Sequence, residues 1–396
     1  MHFFHPTPLD IVEQFISAKT KGKYFENVLD PCVGDGALLT SLEKNFGKIT
    51  IIDIDSEKLN KFQNSSFVKY GGDFLSLNLG EKFDLILCNP PFYNRSVKGL
   101  SIEEKFLSKC LAHLKNEAYG IFILPSSIIN GTKAIKIREY LTKKFTILSI
   151  DILPKKSFTK IESHFYIITL KNTLPSENYI FDTNMGQLNI QEILVNDHLT
   201  LNPKILFSSK KYREFLDIFP SFNLSNESLF RGNTQKNQSQ LHTTHFSSHI
   251  YNPENISPCL KNGKKIKRFD LMFKRVGRNC HDSFSIYCGN ESLVISDCIT
   301  IIPSHSDNYL NNLIRLLNIR LSILFGASSN FMIDGSGANY IPLEKIKKTE
   351  FINFENYFSE DVIKKYNILL LKKDINSLLT FEKELKNKII ENLDIK

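Results

Sequence analysis

Seven short apolar runs, at residues 28–30, 49–54, 67–70, 83–88, 120–124, 147–153 and 165–170, alternate with stretches of helical period such as 37–46 and 103–114. Runs apolar on both faces are strands buried on both sides, and their alternation with helices links parallel neighbours through crossovers. The expected fold class is therefore α/β, a doubly wound, mostly parallel sheet over residues 1–175. Ligands in such a sheet sit at the carboxyl ends of the strands. Before the first strand, residues 8–19 read as a helix with Ile11, Val12, Phe15 and Ile16 on one face, and Thr7-Pro8 reads as its cap and first turn.

One of these strand ends carries a chemical message. The run Phe83-Asp84-Leu85-Ile86-Leu87-Cys88 stops at Asn89-Pro90-Pro91-Phe92. Asn-Pro alone is a common way to start a turn. Here the two prolines stiffen it and remove main-chain donors, leaving the Asn89 side-chain oxygen and the Pro90 carbonyl as acceptors beside the flat ring of Phe92. Such a site suits a planar amino group. Accepting both amine hydrogens favours a pyramidal nitrogen whose lone pair can take a methyl group, and stacking holds the base with roughly 1–3 kcal/mol. No strong general base is required, because the nitrogen becomes acidic as it acquires the methyl group.

The first strand ends in Asp30-Pro31-Cys32-Val33-Gly34-Asp35-Gly36. Gly34 and Gly36 permit a tight turn and a close approach to a ligand, with a helix beginning at Ala37. A dinucleotide fingerprint would need a third glycine where Leu39 stands, which argues against NAD. Asp53, ending the second strand, is placed for ribose hydroxyls. Ile54 could cover an adenine ring, and Asp73 with Phe74, after the third strand, could meet its amino group.

The ordered series His5-Pro6-Thr7-Pro8, Asp30 to Gly36, Asp53-Ile54-Asp55, Gly72-Asp73-Phe74 and Asn89-Pro90-Pro91-Phe92 resembles the gamma-class DNA adenine-N6 methyltransferases of restriction–modification systems. The resemblance spans roughly residues 1–170, and more loosely 195–350. It implies a seven-stranded class I methyltransferase sheet that binds S-adenosylmethionine, followed by a target-recognition domain. Thr7 and Asp30, with Pro31 in the same turn, would contact the methionine part, Asp53 the ribose and Asp73 the adenine, with Asn89 shared between cofactor and base. Asn89, Pro90 and Phe92 would hold the flipped base. An aromatic residue near the last catalytic strand also touches the base in this family; Phe158 is the candidate and Phe165 its rival.

After about residue 175 the alternation ends. A mixed α/β domain is expected over 195–350, with a Ser/Asn/Gln/His-rich stretch at 224–248 and a helix at 310–324, followed by a charged helical segment over 355–396. Lys264, Lys265, Lys267, Arg268, Lys274, Arg275 and Arg278 suit phosphate and base-edge contacts. Together with a formal charge of +8, they favour an anionic partner such as double-stranded DNA. Phe273 to Arg278 and Ile295-Ser296-Asp297 also resemble pieces of the family's recognition domains. The glycine loop Gly335-Ser336-Gly337 lacks the Lys-Ser/Thr of a phosphate loop. His242, His245 and His249 are spaced like helical metal ligands, but their polar, acid-poor surroundings lead us to expect no metal.

Seven scattered cysteines without a Cys-x-x-Cys pair argue for a reducing compartment, and no apolar run approaches a membrane span. A cytoplasmic monomer, associated with the nucleoid through DNA, is expected. Motifs beginning within ten residues of the start leave no room for a preceding cleavage domain, so a cognate restriction endonuclease would act as a separate protein. The alternatives are methylation of an RNA base or a protein glutamine, and a non-catalytic DNA-binding specificity subunit.

Overall fold

The computed structural model describes residues 5–42, 46–92, 99–158, 163–196, 198–233, 240–245, 249–251, 263–305, 307–333, 339–372 and 374–394. The chain divides into two compact units between Leu206 and Phe207, later than the expected gap at 175–195. The extra length is a hairpin, the short helix Gln191–Leu194 and the first turn of helix Pro203–Leu216.

The first unit is built on nine strands: β1 (Phe25–Asp30), β2 (Phe46–Asp53), β3 (Phe67–Gly71), β4 (Phe83–Cys88), β5 (Leu114–Pro125), β6 (Thr146–Ile152), β7 (Phe165–Lys171), β8 (Ile180–Thr183) and β9 (Gly186–Asn189). Their order is β3-β2-β1-β4-β5-β7-β6-β8-β9. The first five in this order run parallel, and β7 is antiparallel to both β5 and β6. All seven expected strands are present. This order, with its inverted β7, is that of the class I S-adenosylmethionine-dependent methyltransferases; the β8–β9 hairpin extends the edge beyond β6. Val28, Leu29, Ile51, Ile52, Leu85 and Ile86 are almost wholly buried, as central parallel strands require.

Because chain order reverses between β2-β1 and β4-β5, a crevice opens at the carboxyl ends of β1 and β4. The chain reaches it through Leu9–Ile11, Val12–Ile16 and Ser17–Thr20, one continuous helical stretch whose middle part is π-wound. Ile11, Val12 and Ile16 are buried as expected, with Phe15 only half-buried. The segment expected as a helix over 37–46 is shorter: Ala37–Leu42 is a 3₁₀ turn, and Phe46 already begins β2.

The second unit holds a five-stranded sheet in the order Phe230–Arg231, Ile299–Ile302, Leu271–Lys274, Ser285–Tyr287 and His249–Tyr251, antiparallel except for the last pair. Helix Tyr309–Phe325 packs in the same core as Leu271, Phe273 and Ile286. The final helices, Glu360–Leu371 and Ile375–Asp394, differ from a solvated charged segment. Tyr366, Leu370, Leu378, Phe381, Leu385 and Ile389 recur at helical spacing and are buried in that core, so these helices belong to the second unit. Arg320 pairs with Glu382 at 2.5 Å beneath them, and the Tyr366 hydroxyl donates to the same carboxylate. The loop Gly335-Ser336-Gly337 lies outside the described residues. Among the described residues, no helix is long and apolar enough to cross a membrane.

Candidate active site

The carboxyl ends of β1, β2, β3 and β4 surround one cavity of about 320 Å³. Thr7, Asp30, Pro31, Asp53, Ile54, Asp73, Phe74, Asn89, Pro90 and Phe92, all singled out from the sequence, line it together. Residues as far apart in sequence as Thr7 and Asn89, 82 positions, thus meet at the reversal of strand order.

The turn after β1 shows how the glycines act. Gly34 and Gly36 take φ of 53° and 80°, the left-handed region that a side chain disfavours. The Gly34 N–H donates to Asp53 Oδ2 at 2.9 Å, and the Val33 N–H to the Ile52 carbonyl at 2.9 Å. Neither glycine is part of the cavity wall; they bend the chain so that Asp30, Cys32 and Val33 are. A Cβ on Gly36 would come within 2.8 Å of the Phe62 ring. The Gly72 N–H donates to the Asp53 carbonyl at 2.9 Å, so the turns after β1 and β3 are both fastened to the end of β2.

Four carboxylates line this space; Asp35 pairs with Lys61 at 2.6 Å, and the other three are Asp30, Asp53 and Asp73. Asp30 is buried and accepts from the Cys32 N–H at 3.2 Å. Burial pushes its pKa up to about 7, the Cys32 hydrogen bond opposes the shift, and the charge of Asp53 adds to it. Asp53 Oδ1 accepts from the Asp55 N–H at 2.9 Å, which fixes the carboxylate in its plane. Asp73 accepts from the Leu75 N–H and the Ser76 hydroxyl. Each carboxylate keeps lone pairs beyond these bonds.

At the end of β4 the Asn89 side chain is held from behind. Its Nδ2 donates to Thr7 Oγ1 at 2.9 Å and to the His5 carbonyl at 3.5 Å, and its main-chain carbonyl accepts from Cys32 Sγ at 3.1 Å. Asn89 Oδ1 is buried and has no hydrogen-bond partner. An unsatisfied buried acceptor costs about 1–3 kcal/mol and calls for an explanation; a donor from a ligand supplies one. Thr7 makes no side-chain cap for the first helix, whose cap residue is Pro8; its hydroxyl serves Asn89 instead.

The Phe92 ring lies 4.6 Å from Phe165 and 5.6 Å from Phe158, and those two rings are 4.6 Å apart. Phe158 and Phe165 are both buried and neither lines the cavity, so Phe158 supports Phe92 from below in this conformation. Cys32 and Cys88 stand 3.9 Å apart, and burial raises the Cys88 pKa well above a free thiol's, which leaves it a small apolar residue rather than a nucleophile.

Sequence reasoning missed part of the wall. Ile102 and Phe106 reach the cavity from helix Ile102–Ala112, and Phe106 meets Phe74 at 5.3 Å. Lys109 of that helix donates to the carbonyls of Phe74 at 2.6 Å, Leu75 at 3.1 Å and Leu77. The apolar face of this helix was visible in the sequence; its lysine had no local signal.

In the second unit, Lys264, Lys265, Lys267, Arg268 and Arg278 are exposed, the first four around the short strand Lys265–Ile266. Lys274 and Arg275 are half-buried, and Arg275 Nε donates to the Asp297 carbonyl at 3.1 Å. Lys274 ends an inner strand of the five-stranded sheet and Arg275 follows it directly, which accounts for their partial burial. His245 Nδ1 accepts from the His242 N–H at 2.9 Å, a local turn contact.

Residues 3–128 match the Methyltransferase small domain. Over 181 residues the chain is 28% identical to the modification methylase CviBIII of Paramecium bursaria Chlorella virus NC1A, covering 40% of this chain and 48% of that protein. It is 23% identical over 182 residues to the type II methyltransferase M.CvrRI of Paramecium bursaria Chlorella virus XZ-6E, covering 41% and 47%. It is also 29% identical over 160 residues to the tRNA1(Val) (adenine(37)-N6)-methyltransferase of Aliivibrio fischeri (strain MJ11), covering 34% and 66%. The chain therefore spans about half the length of the viral relatives it matches.

The residues present fit S-adenosylmethionine. Three carboxylates suit its ammonium, hydroxyl and amino donors, the Phe74–Phe106 pair and Ile54 provide apolar surface for a ring, and the glycine turn leaves room beside Asp30. The strand order is that of class I methyltransferases, residues 3–128 match the Methyltransferase small domain, the cavity fits S-adenosylmethionine, and the first unit is similar to the modification methylases.

Proposed function

We propose that this protein methylates the N6 amine of a specific adenine in double-stranded DNA, as the modification enzyme of a restriction system or alone. The observation that carries the reading is Asn89 Oδ1, a buried acceptor with no partner on the wall of the cofactor cavity. S-adenosylmethionine supplies an electrophilic methyl group. Asn89 Oδ1 accepts one amine hydrogen, the Pro90 carbonyl is the second acceptor, and the Phe92 ring stacks on the base. The nitrogen releases its proton as it becomes cationic, with no side chain needed as a strong base. Asp30 and Thr7 hold the methionine part, Asp53 the ribose and Asp73 the adenine of the cofactor.

A base inside a duplex must be extruded at a cost of a few kcal/mol, which contacts to the phosphate backbone can offset. Lys264, Lys265, Lys267, Arg268 and Arg278 are the groups proposed for this work, with Lys274 and Arg275 shaping the strand behind them.

The similarity to a tRNA adenine methyltransferase favours RNA as the second reading. The separate second unit favours DNA. The test incubates the protein and an Asn89→Ala variant with methyl-labelled S-adenosylmethionine and, in separate reactions, mixed-sequence duplex DNA, total RNA and protein extract. Label recovered as N6-methyladenine in DNA, and lost in the variant, is the expected outcome. Label confined to RNA or protein replaces the acceptor, and no label with any acceptor overturns the catalytic reading.

A further inference from the structure

The side-chain amide of Asn89 has two orientations that differ by a half-turn, and they present opposite chemistry to the cavity. One offers an acceptor, the other a donor, and a donor facing an amine is repulsive. The partners behind Asn89 decide between them. The His5 carbonyl can only accept, which favours Nδ2 pointing back, but at 3.5 Å it is a weak contact. Thr7 Oγ1, at 2.9 Å, is the strong one, and a hydroxyl is ambiguous: it can accept from Nδ2 or donate to Oδ1.

We propose that Thr7 is a positioning residue that sets the orientation of Asn89, and that it does so most firmly when the cofactor is bound. The proposal rests on the methyltransferase reading above for the cofactor part and on geometry alone for the Thr7–Asn89 part. Thr7 is buried and lines the cofactor cavity. When an anionic group such as the methionine carboxylate takes the Thr7 hydroxyl hydrogen, Oγ1 has only lone pairs left for Asn89. Nδ2 must then be its neighbour, and Oδ1 is directed to the acceptor site. The N-terminal segment thereby links the two halves of the reaction: occupancy of the cofactor cavity prepares the group that receives the amine. The same link makes Asn89 respond to cofactor even with no nucleic acid present.

The test compares Thr7→Val, which keeps shape and removes the hydroxyl, with Thr7→Ser, which keeps the hydroxyl. Asparagine-selective ¹⁵N labelling reports the Asn89 side-chain amide, assigned by the signal missing in Asn89→Ala. In the wild type this signal is expected to show slowed hydrogen exchange that slows further when S-adenosylmethionine is added. Thr7→Val should lose both effects and Thr7→Ser should keep them, with thermal melting confirming that each variant is folded. In methyl transfer to mixed-sequence duplex DNA, Thr7→Val should lower kcat about tenfold, as loss of one hydrogen bond implies. Its KM for cofactor should move less, and Thr7→Ser should restore kcat. A Thr7→Val variant with raised cofactor KM, unchanged kcat and an unchanged Asn89 signal would overturn the proposal, leaving Thr7 a cofactor contact alone. If the wild type transfers no methyl group to any acceptor, the functional reading fails, while the amide signal still decides whether Thr7 orients Asn89.

Discussion

A carboxyl group away from water resists ionisation, and Asp30 carries this tension at the centre of the cavity. Its pKa, pushed up to about 7 first by burial, lies above the ordinary value near 4. A group whose folded-state pKa is raised contributes stability that is fully present below its unfolded pKa and is lost as pH rises through the folded one. The ligand-free protein is therefore expected to lose stability between about pH 4 and pH 7 through this residue. Thermal melts across that range should show the slope in the wild type and a flatter one in Asp30→Asn. A cationic ammonium beside Asp30 reverses the preference, so cofactor affinity should fall as pH drops below 7, by up to about tenfold per unit for one linked proton. Calorimetry in buffers of different ionisation enthalpy would detect the proton released on binding; an affinity independent of pH would separate Asp30 from the ammonium. This behaviour was only half legible in the sequence. Asp30 stood out by its place at a strand end beside glycines, but its isolation from water depends on strands that arrive from distant parts of the chain.

At the scale of elements, the turns that shape the cavity are fastened to one another rather than left as independent loops. Asp53 holds the turn after β1 through the Gly34 N–H and the turn after β3 through the Gly72 N–H. Lys109 holds the next stretch, its ammonium shared by three carbonyls between Phe74 and Leu77. Lys109→Met would leave those carbonyls without their charged donor, and such bonds are worth about 1.5–3 kcal/mol. Cofactor dissociation should rise about tenfold, measured by titration, while the far-ultraviolet spectrum stays that of the wild type. An unchanged dissociation constant would mean that the loop keeps its shape without the lysine. Strands were the most legible elements, because a run such as Phe83–Cys88 is apolar on both faces and bounded by turn residues. The amino end of β5 was not: Lys115, Asn116 and Glu117 are polar, and Glu117 takes a φ of 64°, so only the part from Gly120 onward reads as a strand. The β8–β9 hairpin escaped for a similar reason: apart from Ile180 its outward residues are polar or glycine, and its pairing is set by β6.

Over the whole molecule, two units carry different kinds of information. The first has its chemistry in sequence-local motifs at strand ends, which is why ten of its expected site residues meet in one cavity. The second is held by contacts that sequence alone does not announce, such as buried Arg320 paired with Glu382 between helices far apart in the chain. Breaking such a buried pair on one side typically costs 3–5 kcal/mol. Basic residues there divide by exposure: Lys264, Lys265, Lys267 and Arg268 stand in solvent, whereas Arg275 is occupied by the Asp297 carbonyl. If Lys264, Lys265, Lys267 and Arg268 neutralise phosphates, replacing these four with alanine should make the logarithmic salt dependence of duplex binding shallower by up to about 3.6. Fluorescence anisotropy over a salt series measures this, and an unaltered slope would move the DNA-gripping surface elsewhere.

The lining of the cavity begins at His5 and ends at Phe106, and the first unit closes at Leu206. In genetic terms, a recombination breakpoint placed after Leu206 inherits every wall of the cavity intact. Under the function proposed above, the reaction and its target preference could then be passed on separately, and a lineage of such enzymes could change the address it reads without relearning the chemistry it performs.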